Sequence, residues 1–218
     1  MYPQLLLRFS KEEYLKNSLN NGIFRLSPFS YYRELEEQDI IKYKEYNKLN
    51  IEPPKDLKFV KGKLSSIKID NKIQDINLEV TLKEFHKDDK ILCFYNGLNH
   101  ADKNLEEKNI KTYSFTYNEE MNSFPSRFCL VIYNTDEFHN RILNTKKVKS
   151  FDYVKYIENF EPNLDYSPFI KHKIYSFQNE FRYIFDDDIN EIKIGSIADI
   201  AKVVNIEELN NIEISLKI

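Results

Sequence analysis

The stretch KHKIYSFQNEFRYIF, at residues 171–185, decides the fold because two kinds of side chain alternate along it. One side of the period-two pattern carries Tyr175, Phe177, Phe181, Tyr183 and Phe185. The other side carries Ser176, Gln178, Glu180 and Arg182. Since successive side chains of a strand point to opposite faces, the pattern predicts one continuous strand with an aromatic inner face and a polar outer face. This row of polar residues is either a solvent-exposed face or part of a functional site.

The composition indicates one folded domain over residues 1–218. Hydrophobic residues make up 41% of the chain and aromatic residues 14%, which supplies a large core and excludes wholesale disorder. The net charge is −3 with the charges well mixed, so only a local basic patch could hold a polyanion. Because no apolar run approaches the roughly 20 residues that span a bilayer, we expect a soluble, cytoplasmic protein without a membrane partner.

Residue counts and spacing exclude several site chemistries. The four glycines are isolated, so neither a P-loop nor a GxGxxG turn can form. The four histidines show no ligand spacing with each other or with the cysteines, and no metal site is expected. Cys93 and Cys129 lie in apolar runs and are predicted to be buried thiols. The aspartates at residues 186–188 could hold a hard cation, but they are more typical of a solvated turn.

Short strands outnumber helices along the chain. Ser10 and Glu13 have the spacing of a capping box, which predicts a helix over residues 11–20 that ends at Gly22. A hairpin is predicted within residues 57–84 as an insertion into the domain. Other strands are predicted at residues 5–9, 23–26, 91–95, 112–117, 127–133, 148–157, 191–194 and 212–218. Other helices are predicted at residues 102–108, at 136–144 with Thr135 as cap, and at 196–203 with Ser196 as cap. The class is therefore α+β, with a mixed, mainly antiparallel sheet and short flanking helices.

The order of these pieces resembles the bacterial and phage family called DUF2971. The opening LLLRFSKEEYLKNSLNNGIFRLSPFSYYRELEEQD, residues 5–39, is similar to the start of that family. The central LCF, the strand FCLVIY and the late YSFQNEFRYI resemble its later motifs, of which the last, around Glu180 and Arg182, is the most distinctive. That family in turn resembles the ADP-ribosyltransferase fold. The resemblance implies a transferase that cleaves NAD between ribose and nicotinamide and modifies a protein or nucleic acid, in a toxin, phage or defence setting.

The same resemblance implies roles for individual residues. Glu180 would stabilise positive charge that develops on the ribose, and Gln178 would orient the acceptor. Arg8 would bind the pyrophosphate or ribose as a forked donor. Tyr31 or Tyr32 would stack on the nicotinamide. The remaining candidates for NAD binding are Ser27, Ser30 and Arg182, of which the last could pair with Glu180 instead.

Other interpretations stay open. Arg8 could end a sheet edge, the serines and tyrosines could be turn and core, and Glu180 with Arg182 could be an exposed ion pair. The chain could then be a non-catalytic module that binds a protein through an exposed aromatic patch. It could also bind or process nucleic acid through Lys146, Lys147 and Lys149, although such a cluster is more typical of a solvated helix end.

Overall fold

The computed structural model describes residues 5–32, 34–35, 62–69, 72–80, 88–97, 101–107, 110–115, 126–158, 167–209 and 213–217. For residues 62–69, 72–80, 101–107, 110–115 and 213–217 the description covers the backbone. The charged segment at residues 36–55 and the hairpin turn expected at residues 70–71 lie outside the described residues.

The elements are numbered here in chain order. The strands are β1 Leu6–Phe9, β2 Ile23–Arg25, β3 Ser27–Pro28, β4 Gly62–Ile69, β5 Lys72–Val80, β6 Lys90–Asn96, β7 Ala101–Glu107, β8 Ile110–Phe115, β9 Phe128–Ile132, β10 Val148–Tyr153, β11 Lys155–Ile157, β12 Ile170–His172, β13 Glu180–Phe185, β14 Glu191–Lys193, β15 Ala201–Asn205 and β16 Glu213–Lys217. The helices are α1 Glu12–Asn21, α2 Thr135–Asn144 and α3 Ile206–Leu209, with a 3₁₀ helix at Lys173–Gln178.

The main sheet is antiparallel and has seven strands among the described residues. Its order is β10-β13-β6-β1-β9-β15, and β3 pairs with β6 off this path. The pair β11-β12 is parallel, whereas the smaller sheets built from β14-β2, β16-β8-β7 and β4-β5 are antiparallel. The expected class, α+β with a mainly antiparallel sheet, is confirmed. None of the helices in the described segments is long and apolar enough to cross a membrane.

Strand β6 lies at the centre of the sheet, and its two edges differ. On one edge β13 pairs with it continuously, from Glu180 opposite Tyr95 to Phe185 opposite Lys90. On the other edge β1 pairs at residues 95–96 and β3 pairs at residues 90–91. Within the described residues no strand pairs with residues 92–94 on that second edge. The sheet therefore opens between β1 and β3.

The two faces of the main sheet carry different cores. One face holds the larger cluster, in which Leu6, Phe94, Phe181 and Tyr183 pack with Phe138 of α2. The opposite face holds two smaller clusters, one around Leu5, Leu7, Cys129 and Val131 and another around Phe29, Ile91 and Ile184. The alternation of strand residues between these clusters follows from the period-two geometry of the backbone.

Helix α1 ends as expected but begins differently. Gly22 takes the left-handed conformation, with φ 62°, and its N–H donates to the Ser18 carbonyl. The N-cap is Lys11 without a side-chain cap bond, so the capping box is wrong. The backbone carbonyl of Ser10 instead accepts a hydrogen bond from the Ser126 hydroxyl, which ties the start of α1 to the segment before β9.

The continuous strand expected over residues 171–185 is also wrong. The chain forms β12, then one 3₁₀ segment, and enters the sheet only at Glu180. Asn179 ends the 3₁₀ segment in the left-handed conformation, with φ 39°, which asparagine tolerates better than most residues. Every residue of β13 is buried, so the outer face expected to be polar does not face solvent.

Three further expectations are wrong. The helix expected at residues 102–108 is strand β7, which pairs with β8. The cap of α2 is Asn134, whose side chain accepts from the Glu137 N–H at 3.2 Å, and not Thr135. Residues 198–200 form a turn and β15 follows, so the helix expected at residues 196–203 is absent from this described stretch.

Candidate functional site

Glu180 lies at the centre of a buried cluster of charges. Its Oε1 accepts from Lys171 Nζ at 2.7 Å, and its Oε2 accepts from Arg182 Nε at 2.7 Å. The three side chains are 6% exposed or less. The sequence suggested an exposed strand ion pair or an open site, whereas both carboxylate oxygens are engaged inside the protein.

Neighbouring polar atoms complete this cluster. Lys171 Nζ also donates to Gln178 Oε1 at 2.5 Å and lies 4.6 Å from the centroid of the Tyr175 ring. Arg182 Nη1 donates to the Pro168 carbonyl. The carboxylate and its cations therefore connect β12, the 3₁₀ segment and β13. The Gln178 side chain accepts a hydrogen bond from Lys171 inside this cluster.

The two cations hold Glu180 ionised. Burial acts to raise the pKa of the Glu180 carboxyl, but the charges of Arg182 and Lys171 outweigh burial and keep this pKa at about 2. Cys93 lies opposite Arg182 in the register of β6 and β13. Burial is the largest influence on the pKa of its thiol and raises this pKa to about 12. Cys93 is therefore a neutral thiol beside a permanently charged cluster.

Tyr32 and Ser27 lie on the other side of β6 from β13. Residues 29–32 are helical, and the Tyr32 ring packs against the cluster of Phe29, Ile91 and Ile184. Burial raises the pKa of Tyr32 to about 12, although the neighbouring Ser27 side chain acts to lower it. Tyr31 is 52% exposed and meets Tyr32 edge to face with 5.7 Å between ring centroids, while Ser30 is half-buried.

Arg8 is the first residue of β1 beyond the part that pairs with β6. Its guanidinium carbon lies 5.9 Å from the centroid of the Phe24 ring and 5.7 Å from that of Phe94, and Nη2 donates to the Arg25 carbonyl at 3.4 Å. Burial lowers the pKa of this guanidinium because its charged form loses hydration. Among the described residues no carboxylate pairs with Arg8.

Arg8 and Glu180 start from opposite faces of the sheet. Leu7 is paired with Tyr95 and Tyr95 with Glu180, so these three form one row, and Arg8, next to Leu7, starts on the other face. Both charges nevertheless act, as minor causes beside burial, on the pKa of one group. Arg8 acts to lower and Glu180 to raise the pKa of the Tyr32 hydroxyl.

The expected residues thus fall into two groups. Arg8, Ser27 and Tyr32 surround the opening in the sheet, while Gln178, Glu180 and Arg182 lie in the buried charge cluster across β6. The contact of Lys171 with the Glu180 carboxylate was not expected, because Lys171 lies nine positions before that residue and therefore off its period-two row. A further cation, Arg25, was also missed and lines a pocket with Arg8 and Ser27.

The lysine cluster considered for nucleic acid is not a free basic patch. Lys149 Nζ lies 2.9 Å from the buried Asp89 and 4.0 Å from Asp186. Lys146 adopts the left-handed conformation, with φ 57°, just after α2, and Lys147 is exposed. Of these three lysines, Lys149 is therefore engaged in an ion pair with a buried aspartate.

Fold and site together define an α+β protein with an open antiparallel sheet and a buried, ionised glutamate across β6 from the opening. The sequence matches no protein-family model, no curated protein and no solved structure. The family suggested by the motifs therefore stays a prediction.

Proposed function

We propose that this chain is an ADP-ribosyltransferase-like protein that binds NAD at the opening between β1 and β3 and cleaves its bond between ribose and nicotinamide. The observation that supports the proposal is the grouping of Arg8, Ser27 and Tyr32 around the opening, with the ionised Glu180 across β6 from it. A forked cation for phosphate, an ionised carboxylate for the ribose and a tyrosine are the groups this reaction needs.

In this proposal each group has a separate task. Arg8 would hold the pyrophosphate, because its guanidinium has donors that are not used by the described protein. Tyr31, which is exposed, would stack on the nicotinamide ring. Glu180 is already ionised, as stabilisation of an oxocarbenium-like ribose requires, but it would have to exchange one of its cation contacts for a ribose hydroxyl.

A second candidate function is a non-catalytic module that binds a protein. One observation favours it: Lys171 and Arg182 occupy both oxygens of Glu180, which leaves the carboxylate engaged by the protein itself. Tyr31 and Leu35, which lie four positions apart, are 52% and 42% exposed and would offer such a partner apolar surface.

Incubation with NAD separates the two candidates. We expect the wild-type protein to release nicotinamide and the Tyr31→Ala variant to require a higher NAD concentration for the same rate. Tyr133→Ala is the matched control, since Tyr133 is 55% exposed and follows β9, away from the opening. NAD binding by calorimetry without nicotinamide release would contradict cleavage but keep NAD as a ligand, whereas absence of both would exclude NAD and favour the protein-binding candidate.

A further inference from the structure

A small pocket lies between β1, α1 and the β2–β3 segment. It has a volume of about 190 Å³, and the polar side chains of its lining are Arg8, Arg25, Ser10, Ser18, Ser27, Tyr14 and Asn17. Two guanidinium groups and no carboxylate are found among the described residues that line it. The pocket is therefore cationic although the whole chain has a net charge of −3.

Arg8 supplies an incompletely satisfied charge on the inner side of this pocket. One long hydrogen bond, of 3.4 Å to the Arg25 carbonyl, uses one of its N–H donors, and the rings of Phe24 and Phe94 flank the guanidinium. The Arg8 side chain stays partly exposed, so its remaining donors are accessible to an entering ligand. An anion that enters the pocket would gain charge-assisted hydrogen bonds from these donors.

Arg25 supplies a second charge at the rim. Its guanidinium carbon lies 5.0 Å from the centroid of the Tyr14 ring, an arrangement that holds the side chain over α1. Glu191 lies opposite Arg25 in the register of β14 and β2, but its carboxylate pairs with Lys193 at 3.6 Å, and among the described residues no ion pair engages Arg25. Two arginines with unused donors on one concave surface are the usual protein solution for a phosphate group.

The size of the pocket limits the ligand. Pockets that enclose a drug-sized molecule measure about 300 to 1,000 Å³, so a volume of about 190 Å³ suits one phosphate group and excludes a whole dinucleotide. The hydroxyls of Ser10 and Ser27 add neutral donors of the kind that complete phosphate sites.

We propose that Arg8 and Arg25 form a binding site for a single phosphate group, either free phosphate or the phosphate of a nucleotide whose remainder lies outside the pocket. This site shares Arg8 and Ser27 with the function proposed above, but it requires neither Glu180 nor cleavage of NAD. Arg25 and Tyr14 are residues that the NAD hypothesis does not use.

Calorimetry with inorganic phosphate at constant ionic strength tests the site. We expect wild-type protein to bind phosphate, and we expect Arg25→Gln to weaken binding by roughly ten- to a hundredfold, as for the loss of hydrogen bonds to a charged group. The matched control is Lys202→Gln, which removes one positive charge from an exposed position outside the lining. Because Arg25 is exposed, its replacement should leave the fold intact, which circular dichroism verifies.

A second titration with adenosine monophosphate distinguishes the two sources of phosphate. Equal affinity for inorganic phosphate and for the nucleotide indicates a site for the free ion. Tighter binding of the nucleotide, with competition by inorganic phosphate, indicates a site for one group of a larger ligand. No binding of either by the wild-type protein, or equal binding by Arg25→Gln, would overturn the proposal, whatever the result of the NAD cleavage assay.

Discussion

The ammonium group of Lys171 lies 2.7 Å from Glu180 Oε1, and both side chains are almost completely buried. Arg182 holds the other carboxylate oxygen at the same distance. Two cations around one buried anion stabilise the fold only as a set, because the removal of the anion leaves both cations without their compensating charge. This relationship determines how the candidate glutamate behaves under mutation and acid.

Glu180→Gln is expected to lower the free energy of unfolding by about 3 to 5 kcal/mol, since it breaks a buried ion cluster from its centre. Chemical denaturation with urea measures the change. Glu158→Gln is the matched control: Glu158 pairs with Lys173, but both side chains are more than half exposed, so stability should hardly change. Equal effects of the two variants would show that Glu180 is not buried in an ion cluster.

Acid should lower the free energy of unfolding because it protonates the Glu180 carboxylate. The pKa of Glu180 is about 2 in the folded protein, below its ordinary value of 4.5, so the unfolded chain binds this proton more readily. The stabilising contribution is therefore complete above pH 4.5 and is lost as the pH falls toward 2. Urea titrations across this range should show a fall in stability that is smaller in Glu180→Gln. An identical fall in both proteins would contradict the assigned cause.

Much of the fold could be predicted because its central strands are long apolar runs. Residues 91–95 and 127–133 became β6 and β9, which are buried among other strands as expected. The strand over residues 171–185 could not be placed correctly, since the alternation of residue types continues through the 3₁₀ segment at Lys173–Gln178, which the left-handed Asn179 ends. Strand β7 was missed because cross-strand pairing with β8 overrides local preference.

Less of the candidate site could be predicted. Sequence order suggested Arg8, Ser27, Tyr32 and Glu180 as one site; the first three lie around the opening, whereas Glu180 lies across β6 in the buried charge cluster. The engagement of Glu180 by Lys171 depends on the turn between β12 and β13, which no period reveals.

Gly22 and Gly195 offer a test of backbone packing. A Cβ atom on Gly22 would lie 1.8 Å from the Gly195 carbonyl oxygen, whereas a Cβ on Gly195 would have nothing within 4 Å. Both residues have positive φ, so each replacement by alanine costs about 1 to 2 kcal/mol for the backbone alone. Thermal unfolding should show Gly22→Ala to be clearly the more destabilised. Similar melting temperatures for the two variants would mean that the close approach of these backbones is absent.

Lys149→Gln should destabilise the protein by about 1.5 to 3 kcal/mol, the loss expected for a hydrogen bond between charged groups. Lys149 contacts Asp89, which is 2% exposed, and the pair connects β10 with the segment before β6. Lys147→Gln removes the same charge from an exposed neighbour and should leave the melting temperature unchanged. If both variants kept full stability, Lys149 would be a surface charge and the nucleic-acid hypothesis would regain its basic cluster.

The most direct test of the central claim, that Arg8 and Glu180 act on one bound dinucleotide, is the release of nicotinamide from NAD by the intact protein. The account predicts release by the wild-type protein and a strong reduction in Arg8→Lys, which keeps the charge at this position but loses the planar fork. A folded wild-type protein that releases no nicotinamide, or an Arg8→Lys variant that releases it at the wild-type rate, would contradict the claim.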